Sequence, residues 1–210
     1  MKKNLLVIAY IFAPLCFGEL FLEITKGSED PFRIAMVPFE GNLRISKQLN
    51  EIMQNDLIRT GEFSILNEDS LLPIKIVNED LIYSDWKLLG IDFLVTGSIL
   101  QSNNSLDINY EIYDISKKRK IRSSKVFGIP NQIRQLAHYT SDGIYESITG
   151  IKGIAATRLL YVNEIKDSEF ISTYKLMLAD SDGANEKTLL SSSDPIISPS
   201  WSPDGKRVAY

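Results

Sequence analysis

The run Ser198-Pro199-Ser200-Trp201-Ser202-Pro203-Asp204-Gly205-Lys206-Arg207-Val208-Ala209-Tyr210 restricts the possible folds more than any other stretch. Ser-Pro-Asp-Gly is turn chemistry. Proline presets φ, aspartate bonds its own backbone, and glycine takes the positive φ of a tight hairpin. Val208 and Tyr210 then begin an apolar alternation, which predicts a new strand after the turn. Trp201, a large apolar body just before it, suits the seam between neighbouring sheets.

The same strand-and-turn texture reaches back to Ala156. Residues 158–164, 174–179 and 188–190 read as strands, and Asp180-Ser181-Asp182-Gly183 reads as a hairpin turn. Trp201-Ser202-Pro203-Asp204-Gly205 with Ala209-Tyr210 resembles the TolB-type β-propeller repeat, and that resemblance implies that 157–210 makes one blade, which takes about 40–50 residues.

Upstream the pattern changes. Residues 32–39 read as a strand, with Pro38 near its end. Ile45, Leu49, Ile52, Met53 and Leu57 fall at helical spacing across 44–60, and Gly61 sits where a terminating glycine would. A short strand over 63–66 and a short helix over 85–89, stopped by Gly90, come next. Residues 91–99 are nearly continuous in apolar and β-branched side chains, as in a central strand buried on both faces. Leu106, Ile108, Tyr110 and Ile112 alternate with Asp107, Asn109, Glu111 and Tyr113. With a turn at 117–120 and a return over 121–127, this predicts an antiparallel meander with one wet face. Ile133, Leu136, Ala137, Thr140, Ile144 and Ile148 mark a helix over 132–149, ended by Gly150 and Gly153. The fold class expected is α+β, or mixed α/β: two main helices on a mixed sheet over 19–152, then the start of a propeller over 153–210.

The first 18 residues read as a secretory signal. Lys2 and Lys3 form its positive end, and the apolar core over 5–17 is shorter than the roughly 20 residues of a spanning helix. Cys16 and Gly18 are the small residues before a cleavage site at Glu19. Small residues do not directly precede Cys16, which argues against a lipid-bearing cysteine. Cleavage would leave 21 basic against 27 acidic residues, a net charge of −6, and no thiol. Such a balance gives no electrostatic footprint for nucleic acid.

Few residues suggest chemistry. His138, the single histidine, falls off the apolar stripe of its helix and is expected at the surface or at a domain interface, partly exposed. With no second histidine and no mature cysteine, zinc ligation is not expected. Asp180, Asp182 and Asn185 lack the spacing and closing glutamate of a calcium loop. Lys117-Lys118-Arg119-Lys120 with Arg122 reads as a solvated hairpin. No nucleophile elbow and no phosphate loop is present, so no catalytic, cofactor-binding or metal residues are assigned and no cofactor is expected.

Four segments taken in order resemble the TolB family of the Tol–Pal system of Gram-negative bacteria. They are Leu89-Gly90-Ile91-Asp92 with Val95-Thr96-Gly97-Ser98; Arg134-Gln135-Leu136-Ala137-His138 with Ser141-Asp142; Ile148-Thr149-Gly150-Ile151-Lys152-Gly153 with Thr157-Arg158; and Ala179-Asp180-Ser181-Asp182-Gly183 with Ser198 to Tyr210. The resemblance implies an N-terminal α/β domain before a six-bladed propeller, of which this sequence reaches one blade. At about 40 residues per blade, about 200 residues would follow, so a fragmentary sequence is expected. It further implies a periplasmic, non-enzymatic protein whose propeller face holds the lipoprotein Pal. Its N-terminal segment, here Glu19, Leu20, Phe21, Leu22, Glu23, Ile24 and Thr25, would dock on the C-terminal domain of TolA. An apolar strand on a Gly/Ser/Asp hinge can add to a sheet edge of a partner, or equally be an edge strand of its own domain. Two other readings stay open on these residues: a binding domain of the curli-secretion or lipoprotein-cofactor type, and the propeller of a serine peptidase.

Overall fold

A computed structural model describes residues 30–73, 76–77, 80–167 and 171–210 of the chain. The expected signal at 1–18 and the segment 19–25 lie outside the described residues.

The first unit is built on a five-stranded sheet. Its strands are β1 (Phe32–Met36), β2 (Phe63–Ile65), β5 (Phe93–Gln101), β6 (Leu106–Asp114) and β7 (Arg119–Gly128), in the order β2-β1-β5-β6-β7. β1 runs parallel to both neighbours, pairing Ile34 with Ile65 on one side and with Phe93 on the other. From β5 onward pairing is antiparallel, in register from Phe93↔Asp114 to Gln101↔Leu106. The sheet is mixed, as expected. A two-stranded ribbon, β3 (Ile76–Val77) with β4 (Asp80–Leu81), precedes helix α2 (Tyr83–Leu88).

Alternation along the strands sends side chains to two separate apolar clusters. Ile34, Met36, Val95, Ile99, Ile108 and Ile112 face helices α1 (Leu43–Arg59) and α3 (Ile133–Thr149). Leu49, Met53 and Leu57 of α1 and Leu136, Ala137 and Ile144 of α3 meet them there. Each such side chain contributes about 1.5–3 kcal/mol by leaving water. Ala35 and Leu94 point the other way, onto Trp86 of α2, Ile91 and Ile115. Residues 91–99 are therefore buried on both faces only near the start of β5, and Leu100 further along is 60% exposed.

Local chemistry sets the helix ends. Asn42 Oδ1 accepts from the backbone N–H groups of Arg44 (3.1 Å) and Ile45 (3.3 Å), satisfying first-turn donors of α1. α3 ends at Gly150, whose φ of 75° is open to glycine and strained for other residues.

After α3 come β8 (Arg158–Lys166), β9 (Ser172–Asp180) and β10 (Lys187–Ser192), an antiparallel sheet in the order β10-β9-β8. The hairpin β11 (Ser200–Trp201) and β12 (Val208–Ala209) follows, closed by Ser202 and Arg207 around the Pro203-Asp204-Gly205 turn. Among the described residues, β11 and β12 pair only with each other, apart from the three-stranded sheet that ends at Ser192. The Ser/Pro run between them supplies no ladder partner. Among the described residues, no helix is long and apolar enough to cross a membrane.

Candidate functional site

The densest polar constellation lies where α1, α3 and the β9–β10 turn meet. It is built from residues far apart in sequence. Asp56 sits one turn before the end of α1, on the face turned to α3, and is 3% exposed. Its Oδ1 accepts from Arg59 Nη2 at 2.9 Å, and its Oδ2 lies 2.7 Å from His138 Nδ1. A carboxylate only accepts, so His138 Nδ1 carries the proton of that bond. His138 Nε2 and Asn50 Oδ1 are buried without a hydrogen-bond partner among the described residues.

His138 was expected to be partly exposed; it is 3% exposed. The reason is that α3 is covered on two sides. Its apolar stripe meets the sheet, and the adjacent face, carrying His138 and Ser141, meets α1 and the connection to the blade. A histidine off the apolar stripe is solvated only where no second element packs on that flank. The interface half of the expectation agrees with the structure, since His138 lines a cavity shared with Arg158, Asp180 and Asn185 of the blade.

Arg134, one turn earlier on α3, reaches the same turn. Its Nε donates to Asp180 Oδ2 at 3.1 Å, and its Nη2 donates to Asp182 Oδ2. Both aspartates also serve the turn itself. Asp182 Oδ1 accepts from Ala184 N at 3.1 Å, and Asp180 Oδ2 from Asn185 Nδ2 at 2.6 Å. The hairpin expected at 180–183 is present, and its two carboxylates are also the blade's handle on α3.

The connection between the units is tied in the same place. Asp142 accepts from the backbone N–H groups of Ala155 (2.6 Å) and Ala156 (3.0 Å), and Ser181 Oγ donates to Ala155 O at 2.6 Å. Gly153 packs against the Asp142 side chain so closely that a Cβ would collide with it. A cavity of about 560 Å³ opens beside this connection, lined by Leu57, Tyr145, Ile151 and Ile154 among others.

Could the cluster hold a metal? Ligand atoms of Asp56, His138 and Asp182 lie within 4.8 Å of one another, which makes them the one such group among the described residues. The donor set does not fit, because cations are already in place: Arg59 on Asp56 and Arg134 on Asp182. Nor is a nucleophile aimed at His138, since the nearby Ser141 hydroxyl donates to Ala137 O of its own helix at 3.0 Å. The basic run at 117–122 lies away from this site, on the β6–β7 hairpin. There Lys117 pairs with Asp114 and Lys120 with Glu111.

Family models match both units. That of the TolB amino-terminal domain covers residues 20–121, and that of the TolB beta propeller domain covers 145–210. The chain belongs to the TolB family. The Tol-Pal system protein TolB of Alcanivorax borkumensis is 37% identical over 211 residues, covering 100% of this chain and 48% of the relative. That of Pseudomonas syringae pv. syringae is 35% identical over 98% of this chain and 48% of its own length. The crystal structure of TolB from Acinetobacter baumannii superposes with a TM-score of 0.75 at 36% identity, over 90% of this chain and 45% of that one. This TolB-family chain thus spans about half the length of the relatives it matches. The family assignment makes β8–β9–β10 the first blade of a propeller.

The junction went unseen in the sequence for a physical reason. Asp56 and His138 are 82 residues apart, and Arg134 and Asp182 are 48 apart. Such pairs leave no period in the chain. The available signal was Asp56 itself, a charge on the inward side of an apolar helix stripe, where an unpaired carboxylate is costly.

Proposed function

We propose that this TolB-family chain is a non-enzymatic, periplasmic interaction protein that joins TolA to Pal, keeps the outer membrane intact and supports its invagination at division. The observation that carries this reading is similarity across the whole chain to Tol-Pal system proteins named TolB, in both units and in order. The apolar segment Glu19, Leu20, Phe21, Leu22, Glu23, Ile24 and Thr25 is the proposed contact for the C-terminal domain of TolA. Its composition suits addition to a partner's sheet edge, where main-chain bonds give affinity and alternate side chains give specificity. Pal would be held by the propeller face, of which this chain carries the first blade. Residues 1–18 would direct export and be cleaved after Gly18, leaving Cys16 in the removed part. The β8–β9–β10 sheet disfavours the alternative of a lone curli-secretion or lipoprotein-cofactor type binding domain, which has no blade.

Deleting residues 19–25 tests the reading. Pull-down by TolA's C-terminal domain is expected to be abolished while circular dichroism of the α/β unit stays unchanged. Undiminished capture would place the contact elsewhere.

A further inference from the structure

The blade meets α3 through charge rather than through apolar packing. Where they touch, the lining is Asn131, Gln132, Arg134, Arg158, Asp180 and Asn185 around a cavity of about 190 Å³. Interfaces of that kind allow relative motion unless something specific holds them. Asp142 and Ser181 hold the connection at Ala155 and Ala156, and Arg134 is placed to hold the turn of the blade directly on α3. One guanidinium binds Asp180, the last residue of β9, and Asp182, two residues into the turn, at once, with all three side chains no more than 27% exposed. Charge-assisted bonds made by a planar fork are among the strongest in water-poor surroundings.

The neighbouring charges make this cation hard to replace. Asp56 of α1 is answered by Arg59 and His138, and Lys or Arg side chains bonded to Asp180 and Asp182 are absent among the described residues apart from Arg134. Remove it, and Asp182 remains within 4.8 Å of Asp56 and His138 with its charge unmatched. A half-buried carboxylate so placed repels the other and pulls water into the junction.

We propose that Arg134 is a latch between the two units. Bound to both aspartates it fixes the first blade on α3; without it the blade releases as one body, and the α/β unit stays folded on its own apolar clusters.

Hydrogen exchange on the full 210-residue chain tests this, with Arg134→Gln, the double Asp180→Asn/Asp182→Asn, and the triple variant. The expected result is that β8, β9 and β10 amides exchange at least tenfold faster in Arg134→Gln while those of α1, β5 and β6 keep their rates. The double variant should reproduce the effect, and the triple should be no faster than either, since all remove one shared interaction. Arg134→Lys, which keeps the charge without the fork, should fall between. Unchanged blade amides, equal acceleration in both units, additive effects in the triple, or a blade unprotected in the unaltered chain would each overturn the latch.

Discussion

Asp114, at the end of β6, is a carboxylate with little water around it, and both of its bonds go to one residue. Lys117 donates its backbone N–H to Oδ1 at 2.8 Å and sets its ammonium 2.9 Å from Oδ2. Burial works to raise the pKa of Asp114, but these bonds outweigh it and hold the carboxyl below its ordinary value. Its contribution is therefore fully present above the ordinary carboxylate pKa, about 4, and is lost as the pH falls through the lower folded value. Asp114→Asn is expected to cost about 1 kcal/mol at pH 7. Urea midpoints for the two proteins should converge in acid. Gly143 gives a second test, this time of packing. A Cβ there would run into the hydroxyl of buried Tyr110 across the α3–sheet contact. Gly143→Ala should destabilise by about 1–3 kcal/mol through overpacking despite alanine's better helix propensity. In a Tyr110→Phe background most of that penalty should vanish, as thermal melts of the four proteins would show.

The long elements were legible because their periods are strong. Leu49, Ile52, Met53 and Leu57 write α1 without help, and the alternation from Leu106 to Tyr113 writes β6. α2 was less legible. Its six residues carry one decisive side chain, Trp86, 1% exposed and the largest member of the second apolar cluster. A single anchor has no period, so neither its burial nor the second cluster could be read ahead. Trp86→Ala is expected to cost about 3–5 kcal/mol and to expose α2 to limited proteolysis before the rest of the sheet. The outer strand explains the basic run. β7 is an edge of the sheet, and Arg119, Lys120, Arg122 and Lys125 lie along it, with Lys118 in the turn before it. Positive charge along an edge discourages a second molecule from pairing with it. Replacing Arg119, Arg122 and Lys125 by Thr should leave the monomer's melting temperature nearly unchanged and increase light scattering at high concentration.

Taken whole, the molecule joins an antiparallel half-sheet to a parallel one, and this has a kinetic consequence. β5, β6 and β7 are joined by short turns, and their long ladders close between near neighbours. β1 reaches β5 only across the 59 positions from Ile34 to Phe93, so that ladder forms after a costly loop closure. The meander should then lead folding and the parallel strands should follow. Ile112→Ala in β6 is expected to act mainly by slowing refolding, and Ile34→Ala in β1 mainly by hastening unfolding, which chevron arms for each variant would separate. A chain made from its N-terminus would thus present β1 and β2 first and leave the other edge of β1 open until β5 emerges, a waiting interval written into the strand order itself.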